Sequence, residues 1–178
     1  MTTDIHTFTF KVVLIGPGAV GKSSLMRRFV ENCFEKTYQF TVGVDISAKD
    51  VKYEEGQYAK LSIWDMGGQE RFKVLRRSFF EGTNGALLVF DLSRSQTFVG
   101  MKKWLSDLRS MVEERIPIII IGNKSDLISE VGETIKKNEP NSLAEKENSI
   151  YIETSAKTGE NVEKAFLKLT QLMREHNS

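Results

Sequence analysis

Apolar and polar residues follow two periods along this chain, and they change places in a regular order. Phe8 to Ile15 is a largely apolar run that leads into a glycine-rich turn. Ser23 to Val30 then carries Leu25, Met26, Phe29 and Val30 at helical spacing. Val44, Ile46 and Ala48 alternate with polar residues, as do Ala59, Leu61 and Ile63 beyond the turn Glu54-Glu55-Gly56-Gln57, a pattern that predicts a β-hairpin. Buried strands are expected at Ala86–Phe90 and Pro117–Ile121. Between them, Thr97–Glu113 reads as a helix with Phe98, Met101, Trp104, Leu105, Leu108 and Met111 on one face. A short strand at Ser149–Ile152 precedes a helix from about Asn161, striped by Val162, Ala165, Phe166, Leu169, Leu172 and Met173. The stretch Leu127–Asn148 is polar and only loosely periodic. Near-continuous apolar strands between helices predict a mostly parallel sheet covered on both faces, to which the hairpin adds one antiparallel edge strand.

Length and composition fit a single folded unit. With 178 residues, one core can bury most of the apolar surface. Only 3 prolines and 13 glycines argue against long disordered tracts. A net charge of +1 gives no bulk attraction to nucleic acid or to an anionic membrane. The lone Cys33 has no internal disulfide partner, which fits a reducing compartment such as the cytoplasm; it reads as a small residue near a helix end. The first residues lack the features of a signal peptide, and Thr2 excludes N-myristoylation. The apolar runs are too short to span a bilayer, and the last residues hold no cysteine for a lipid anchor.

The chemistry begins at Gly16-Pro17-Gly18-Ala19-Val20-Gly21-Lys22-Ser23, with Ser24 next. This is the GxxxxGK[ST] phosphate-binding loop, placed after a strand and before a helix, where the pattern has to sit. Its glycines let the backbone curl so that successive N–H groups face phosphate oxygens, and the following helix adds its N-terminal partial charge. Lys22 reaches the β- and γ-phosphates, and the Ser23 hydroxyl ligates Mg²⁺. The loop alone does not choose between adenine and guanine.

Asn123-Lys124-Ser125-Asp126 makes that choice. It follows a buried strand and so falls on the same rim of the sheet as the phosphate loop. A fixed carboxylate such as Asp126 accepts from both the N1–H and the N2 amine of guanine, a donor pair that adenine lacks. Asp65-Met66-Gly67-Gly68-Gln69-Glu70 ends the strand of Ala59, Leu61 and Ile63. An acid there holds Mg²⁺ through water, Gly68 offers a backbone N–H to the γ-phosphate, and Gln69 orients the attacking water. In isolation Gln69 would be an ordinary loop residue; its spacing from Asp65 gives it the role.

With these motifs in this order, the chain resembles the Ras superfamily of small GTPases, and within it the Rab branch, over about residues 8–173. The resemblance implies an α/β fold, the three-layer P-loop NTPase fold. It has a six-stranded, mostly parallel sheet, one antiparallel edge strand and about five helices on both faces, with residues 1–178 forming one domain. It implies that Thr41, in Phe40-Thr41-Val42-Gly43, ligates Mg²⁺ through its hydroxyl and the γ-phosphate through its N–H. It implies that the backbone of Ser155-Ala156-Lys157 contacts the guanine carbonyl. Phe34 would stand edge-on to the base, with the stem of Lys124 stacked on it. The Rab-like features are the GVD of Gly43-Val44-Asp45, the stretch Leu61-Ser62-Ile63-Trp64-Asp65, and Glu70-Arg71-Phe72 followed by Phe79-Phe80.

Three positions depart from that pattern. Gly67 stands where the family usually has alanine, as in the Arf branch. Ile46 replaces the switch I aromatic that follows GVD. Ala19 replaces a P-loop glycine, as in the Rho branch, and leaves nucleotide binding intact. The resemblance implies a GTP/GDP switch with slow intrinsic hydrolysis, on the order of 10⁻⁴–10⁻² s⁻¹. The stretch Glu35–Val42 offers only Lys36 as a cation, so a partner's arginine would supply the acceleration. Expected partners are a GTPase-activating protein, an exchange factor and effectors at switch I (about 35–44) and switch II (about 67–80), with Trp64, Phe72 and Phe79 as the contacting aromatics. The expected state is a cytoplasmic monomer without nucleic-acid partners, reaching membranes through partners or a further tail and serving vesicle traffic. A GTP-binding scaffold without hydrolysis stays open as the alternative. An ATPase or nucleotide kinase is disfavoured by Asn123-Lys124-Ser125-Asp126 and by the lack of an arginine-rich lid segment.

Overall fold

The computed structural model describes residues 7–68 and 70–178. Its elements are β1 (Thr7–Ile15), α1 (Lys22–Glu31), β2 (Val44–Glu54), β3 (Gln57–Met66), α2 (Arg76–Phe80) and β4 (Gly85–Asp91). They continue with α3 (Ser95–Met111), β5 (Ile118–Asn123), α4 (Ile128–Val131), α5 (Asn138–Lys146), β6 (Ile150–Thr154) and α6 (Val162–His176). Two 3₁₀ turns, Glu70–Leu75 and Ser125–Leu127, precede α2 and α4. Among the described residues the strands form one six-stranded sheet in the order β2-β3-β1-β4-β5-β6, with β2–β3 antiparallel and the other pairs parallel. This is the expected P-loop NTPase fold. The polar stretch 127–148 supplies two short helices where the periodicity gave none. α5 is fixed by few buried positions, Pro140 and Ala144, which is too little to print a stripe.

The central strands are buried on both faces because successive residues feed different layers. Val12 and Leu14 of β1, Leu87 and Val89 of β4, and Ile119 and Ile121 of β5 pack under α1 and α6. Val13, Ile15, Leu88, Phe90, Ile118 and Ile120 pack on the other face under α2, α3 and α5. The Phe29 and Phe166 rings stack with centroids 4.0 Å apart and tie α1 to α6.

The hairpin forms as expected, but its two apolar sets face opposite ways. Ala59, Leu61 and Ile63 are fully buried, whereas Ile46 is 51% exposed. In β2 the inward set is Val51 and Tyr53, whose parity is opposite to that of Val44, Ile46 and Ala48. Ile46 pairs with Trp64, so the outward apolar face of the edge strand continues on β3. Trp64 is half-buried: Lys11 Nζ lies 3.9 Å above its ring and Phe79 meets it edge-on at 6.3 Å. Phe79 is 2% exposed and belongs to the core, because α2 turns it inward against the sheet. As a residue waiting on the surface for an effector it is therefore corrected. The side chain of Phe72 lies outside the described structure. No helix among the described residues is long and apolar enough to cross a membrane.

Candidate functional site

The chain order of the sheet reverses beside β1, and a cleft of about 780 Å³ opens there at the carboxyl ends of the strands. Its walls come from the P-loop (Gly18, Ala19, Gly21, Lys22, Ser23, Ser24), from the irregular segment 33–42, from Gly68, and from Asn123, Lys124, Asp126, Ala156 and Lys157. These groups are scattered over most of the sequence, yet they enclose one space. Phe34 lines it as well and packs on the core from its other side.

One end of the cleft gathers oxygen. The hydroxyls of Ser23 and Thr41 lie 2.8 Å apart. Ser23 Oγ donates to Asp65 Oδ2, and Thr41 Oγ1 donates to the same oxygen at 3.3 Å. Asp65 is fully buried, and its Oδ1 has no hydrogen-bond partner among the described residues. Burial raises the Asp65 carboxyl above its ordinary value against the opposing pull of Lys22. Such a cluster, all oxygen and holding one carboxylate with an unused acceptor, fits a hard divalent cation that keeps some water or phosphate ligands. Among the described residues there is no group of three His, Cys, Asp or Glu side chains that would form an all-protein cage.

Lys22 stands beside this cluster, 6% exposed, and its Nζ donates to the carbonyls of Gly16 (3.0 Å) and Pro17 (2.8 Å). Burial pushes its ammonium down to about 8, with Asp65 resisting the shift. Gly21 caps the start of α1 at φ 98°, and a Cβ there would stand 2.3 Å from Asn123 Nδ2, so glycine is required on both counts. Gly68 lies against the P-loop backbone, and the N–H of the preceding Gly67 donates to Gly43 at 3.1 Å. Gln69 lies outside the described residues.

The other end is held by side-chain bonds to backbone and to other side chains. Asn123 is 1% exposed; its Nδ2 donates to the Val20 carbonyl at 2.9 Å, and its Oδ1 accepts from Thr154 and from the Ala156 N–H. Asp126 Oδ1 accepts from Ser155 Oγ at 2.6 Å. Val20 and Ser155 have no exposed surface: they build the wall from behind and leave their neighbours to face the cleft. Cys33 lines the cleft too, but burial and the neighbouring Glu31 push its thiol up, as suits an inert residue near a helix end.

Three residues of this region escaped the motif reading. Arg28 donates from Nε to Ala156 O (2.8 Å) and from Nη2 to Lys157 O (2.7 Å), clamping the Ser155–Lys157 loop to α1. Arg94 reaches the P-loop from the start of α3, where its Nη2 donates to Ala19 O at 3.0 Å. Asp91 pairs with both Arg94 and Lys124. Asp91 carried a legible signal, an acid closing a buried strand on the functional rim, as Asp65 does. The arginines carried none.

A mostly parallel sheet with this strand order, a phosphate loop at its switch point and an Asn-Lys-x-Asp tetrad on the same rim defines a guanine-nucleotide-binding protein of the small GTPase class. Comparison with known sequences agrees. The profile of the Ras family matches residues 11–175. Ras-related protein RIC2 of Oryza sativa subsp. japonica is 40% identical over 172 residues, spanning 96% of this chain and 78% of that protein. Ras-related protein Rab-4B of Rattus norvegicus and of Homo sapiens is 41% identical over 165 residues, 93% of this chain and 76% of theirs. The chain belongs to the Ras family; it is a small GTPase, and it is Rab-like.

Proposed function

We propose that this chain binds GTP and GDP with Mg²⁺ in the cleft, hydrolyses GTP slowly, and uses the difference between the two states as a switch. The observation that carries this reading is the meeting of Ser23, Thr41 and Asp65 beside Lys22. It joins the P-loop, the 33–42 segment and the end of β3 at one point. Ser23 and Thr41 would hold Mg²⁺ directly and Asp65 through water. When bound, the ion supplies positive charge to the β- and γ-phosphate oxygens.

The protein's own groups do the rest. The P-loop amides and Lys22 stabilise charge on the bridging and γ-oxygens while water attacks the γ-phosphorus in line. Gln69, one residue beyond Gly68, orients that water; its role rests on its spacing from Asp65. Asp126 accepts from the guanine N1–H and N2 amine. Asn123 and the Ser155-Ala156-Lys157 backbone frame the base, the stem of Lys124 stacks on it, and Phe34 flanks it. Two arginines beside the cleft, Arg27 in its lining and Arg94 on the P-loop, are already engaged, Arg27 with Glu35 and Arg94 with Asp91, which favours slow turnover and an activating partner that brings its own arginine.

Thr41 and Gly68 would each contact the γ-phosphate through a backbone N–H, so loss of that group releases both segments. An exchange factor, an activating protein and effectors would read this difference at the outward apolar residues Phe40, Val42, Ile46 and Trp64. The chain would work as a monomer and serve membrane traffic through partners or a further tail.

The test is single-turnover release of the γ-phosphate from bound GTP, comparing wild type with Gln69→Leu. Slow release that falls at least about tenfold in the variant agrees with this mechanism. Release indifferent to the substitution removes Gln69 from it, and no release even with an activating partner would favour a GTP-binding scaffold.

A further inference from the structure

The nucleotide reading leaves Asp91 and Arg94 without a part. Asp91 closes β4 and is 1% exposed, yet its carboxylate gathers four donors. Oδ1 accepts from the backbone N–H and the hydroxyl of Ser93, at 2.9 and 2.6 Å. Oδ2 accepts from Lys124 Nζ at 2.8 Å and from Arg94 Nε at 3.0 Å. Burial alone would raise this carboxyl; the Lys124 and Ser93 donors outweigh burial and hold it below the usual range.

The two cations on Asp91 also share a second partner. Lys124 Nζ donates to Ala19 O at 2.9 Å, and Arg94 Nη2 donates to the same oxygen at 3.0 Å while lying 3.5 Å from Gly18 O. Ala19 has φ 61°, the left-handed region that its Cβ disfavours. A trans peptide unit is planar, with its C=O and N–H on opposite sides. Holding the Ala19 oxygen therefore fixes the peptide plane between Ala19 and Val20, and with it the course of the loop through its cleft-lining residues Gly18, Ala19 and Gly21.

We propose that Arg94, anchored by Asp91, is a positioning residue for nucleotide binding. With Lys124 it grips the Ala19 carbonyl and keeps a strained P-loop peptide in its phosphate-binding orientation. Because Lys124 belongs to the base tetrad, the same network joins the base end of the cleft to its phosphate end. The inference rests on the cleft being the nucleotide site.

The test follows dissociation of a fluorescent N-methylanthraniloyl-GDP from the full chain in Mg²⁺ buffer. Four proteins are compared: wild type, Arg94→Ala, Ala19→Gly and the double variant. Charged hydrogen bonds of this kind are worth about tenfold each, so Arg94→Ala should speed dissociation about tenfold. Glycine occupies the left-handed region without cost. In the Ala19→Gly background the same arginine change should therefore matter about threefold or less. Unchanged dissociation in Arg94→Ala, or an equal factor in both backgrounds, overturns the inference, since an arginine that only braces α3 would act alike in both. Arg94→Gln is read the same way should Arg94→Ala not fold. A wild type that never retains the GDP analogue refutes the nucleotide site itself, which is a different result from a wild type that holds it and an Arg94 variant that holds it equally well.

Discussion

Asn123 on β5 donates its side-chain amide to the carbonyl of Val20, 103 residues earlier in the chain, at 2.9 Å. Its oxygen accepts from Thr154 at 3.1 Å and from the Ala156 N–H at 3.3 Å. One side chain thus pins the P-loop, β6 and the loop after it to a common point. Asn123→Ala would leave three buried groups unpaired, costing about 3 kcal/mol in total. In a chain of this size that lowers Tm by roughly 6–12 °C. Thermal unfolding monitored by circular dichroism reads it directly, and a loss under about 2 °C would show that the amide is not the joint described.

Gly68 sits so close to the P-loop that a Cβ on it would stand 2.4 Å from the Gly18 nitrogen and 2.5 Å from the Pro17 carbonyl carbon. Both neighbours are backbone, which cannot swing aside as a flexible side chain would. Gly68→Ala therefore has to push the segment after β3 away from the P-loop. The expected result is single-turnover hydrolysis slowed at least about tenfold, with GDP affinity within about threefold of wild type. Hydrolysis at the wild-type rate in this variant would remove Gly68 from the phosphate contact.

How much of this molecule could be read beforehand depends on how local each cause is. The strands β1, β4 and β5 were legible because residues buried on both faces print continuous apolar runs such as Ile118–Ile121. The phosphate loop and the tetrad were legible because their chemistry fixes residue types at fixed spacings. The outward face of Ile46 was not legible: alternation shows that one face is apolar but not which way it points, and only Val51 and Tyr53 further along β2 reveal the parity. Phe79 looked the same in the sequence whether it faced a partner or the core. The grip of Arg94 on Ala19 spans 75 residues and that of Arg28 on Ala156 spans 128, so no local pattern marked either one.

Arg76 opens α2 at 1% exposure. It is paired with Asp107 of α3, and its guanidinium carbon lies 3.7 Å from the centroid of the Trp104 ring. A charge this deep is costlier to hold once the Asp107 carboxylate is removed, whereas an apolar replacement of similar length carries no charge into the core. Asp107 retains 18% side-chain exposure and can be hydrated if left alone. Asp107→Ala should thus cost about 3 kcal/mol, and Arg76→Met about half as much or less. Urea unfolding of the two variants decides it, and Arg76→Met proving the more damaging would sink the argument.

Asp91 should give the stability of the protein a particular dependence on acid. Its carboxyl is raised by burial and lowered more by Lys124 and Ser93, so the folded value lies below the ordinary one. A group depressed in the fold contributes stability that is complete above its unfolded value, about 3.9. That contribution is lost as pH falls below 3.9 and through the folded value. Asp91→Asn cannot titrate and faces Lys124 and Arg94 with a neutral amide, so it should be less stable than wild type by roughly 3 kcal/mol at pH 7. The deficit should shrink as the pH drops below about 4, because the unfolded wild type then takes up a proton at Asp91 that the folded protein resists, and the Asn variant has no such proton to gain. Urea midpoints of both proteins at pH 7 and near pH 3.5 measure the two differences. A deficit that stays constant between them would mean that Asp91 acts through its shape and hydrogen bonds rather than its charge.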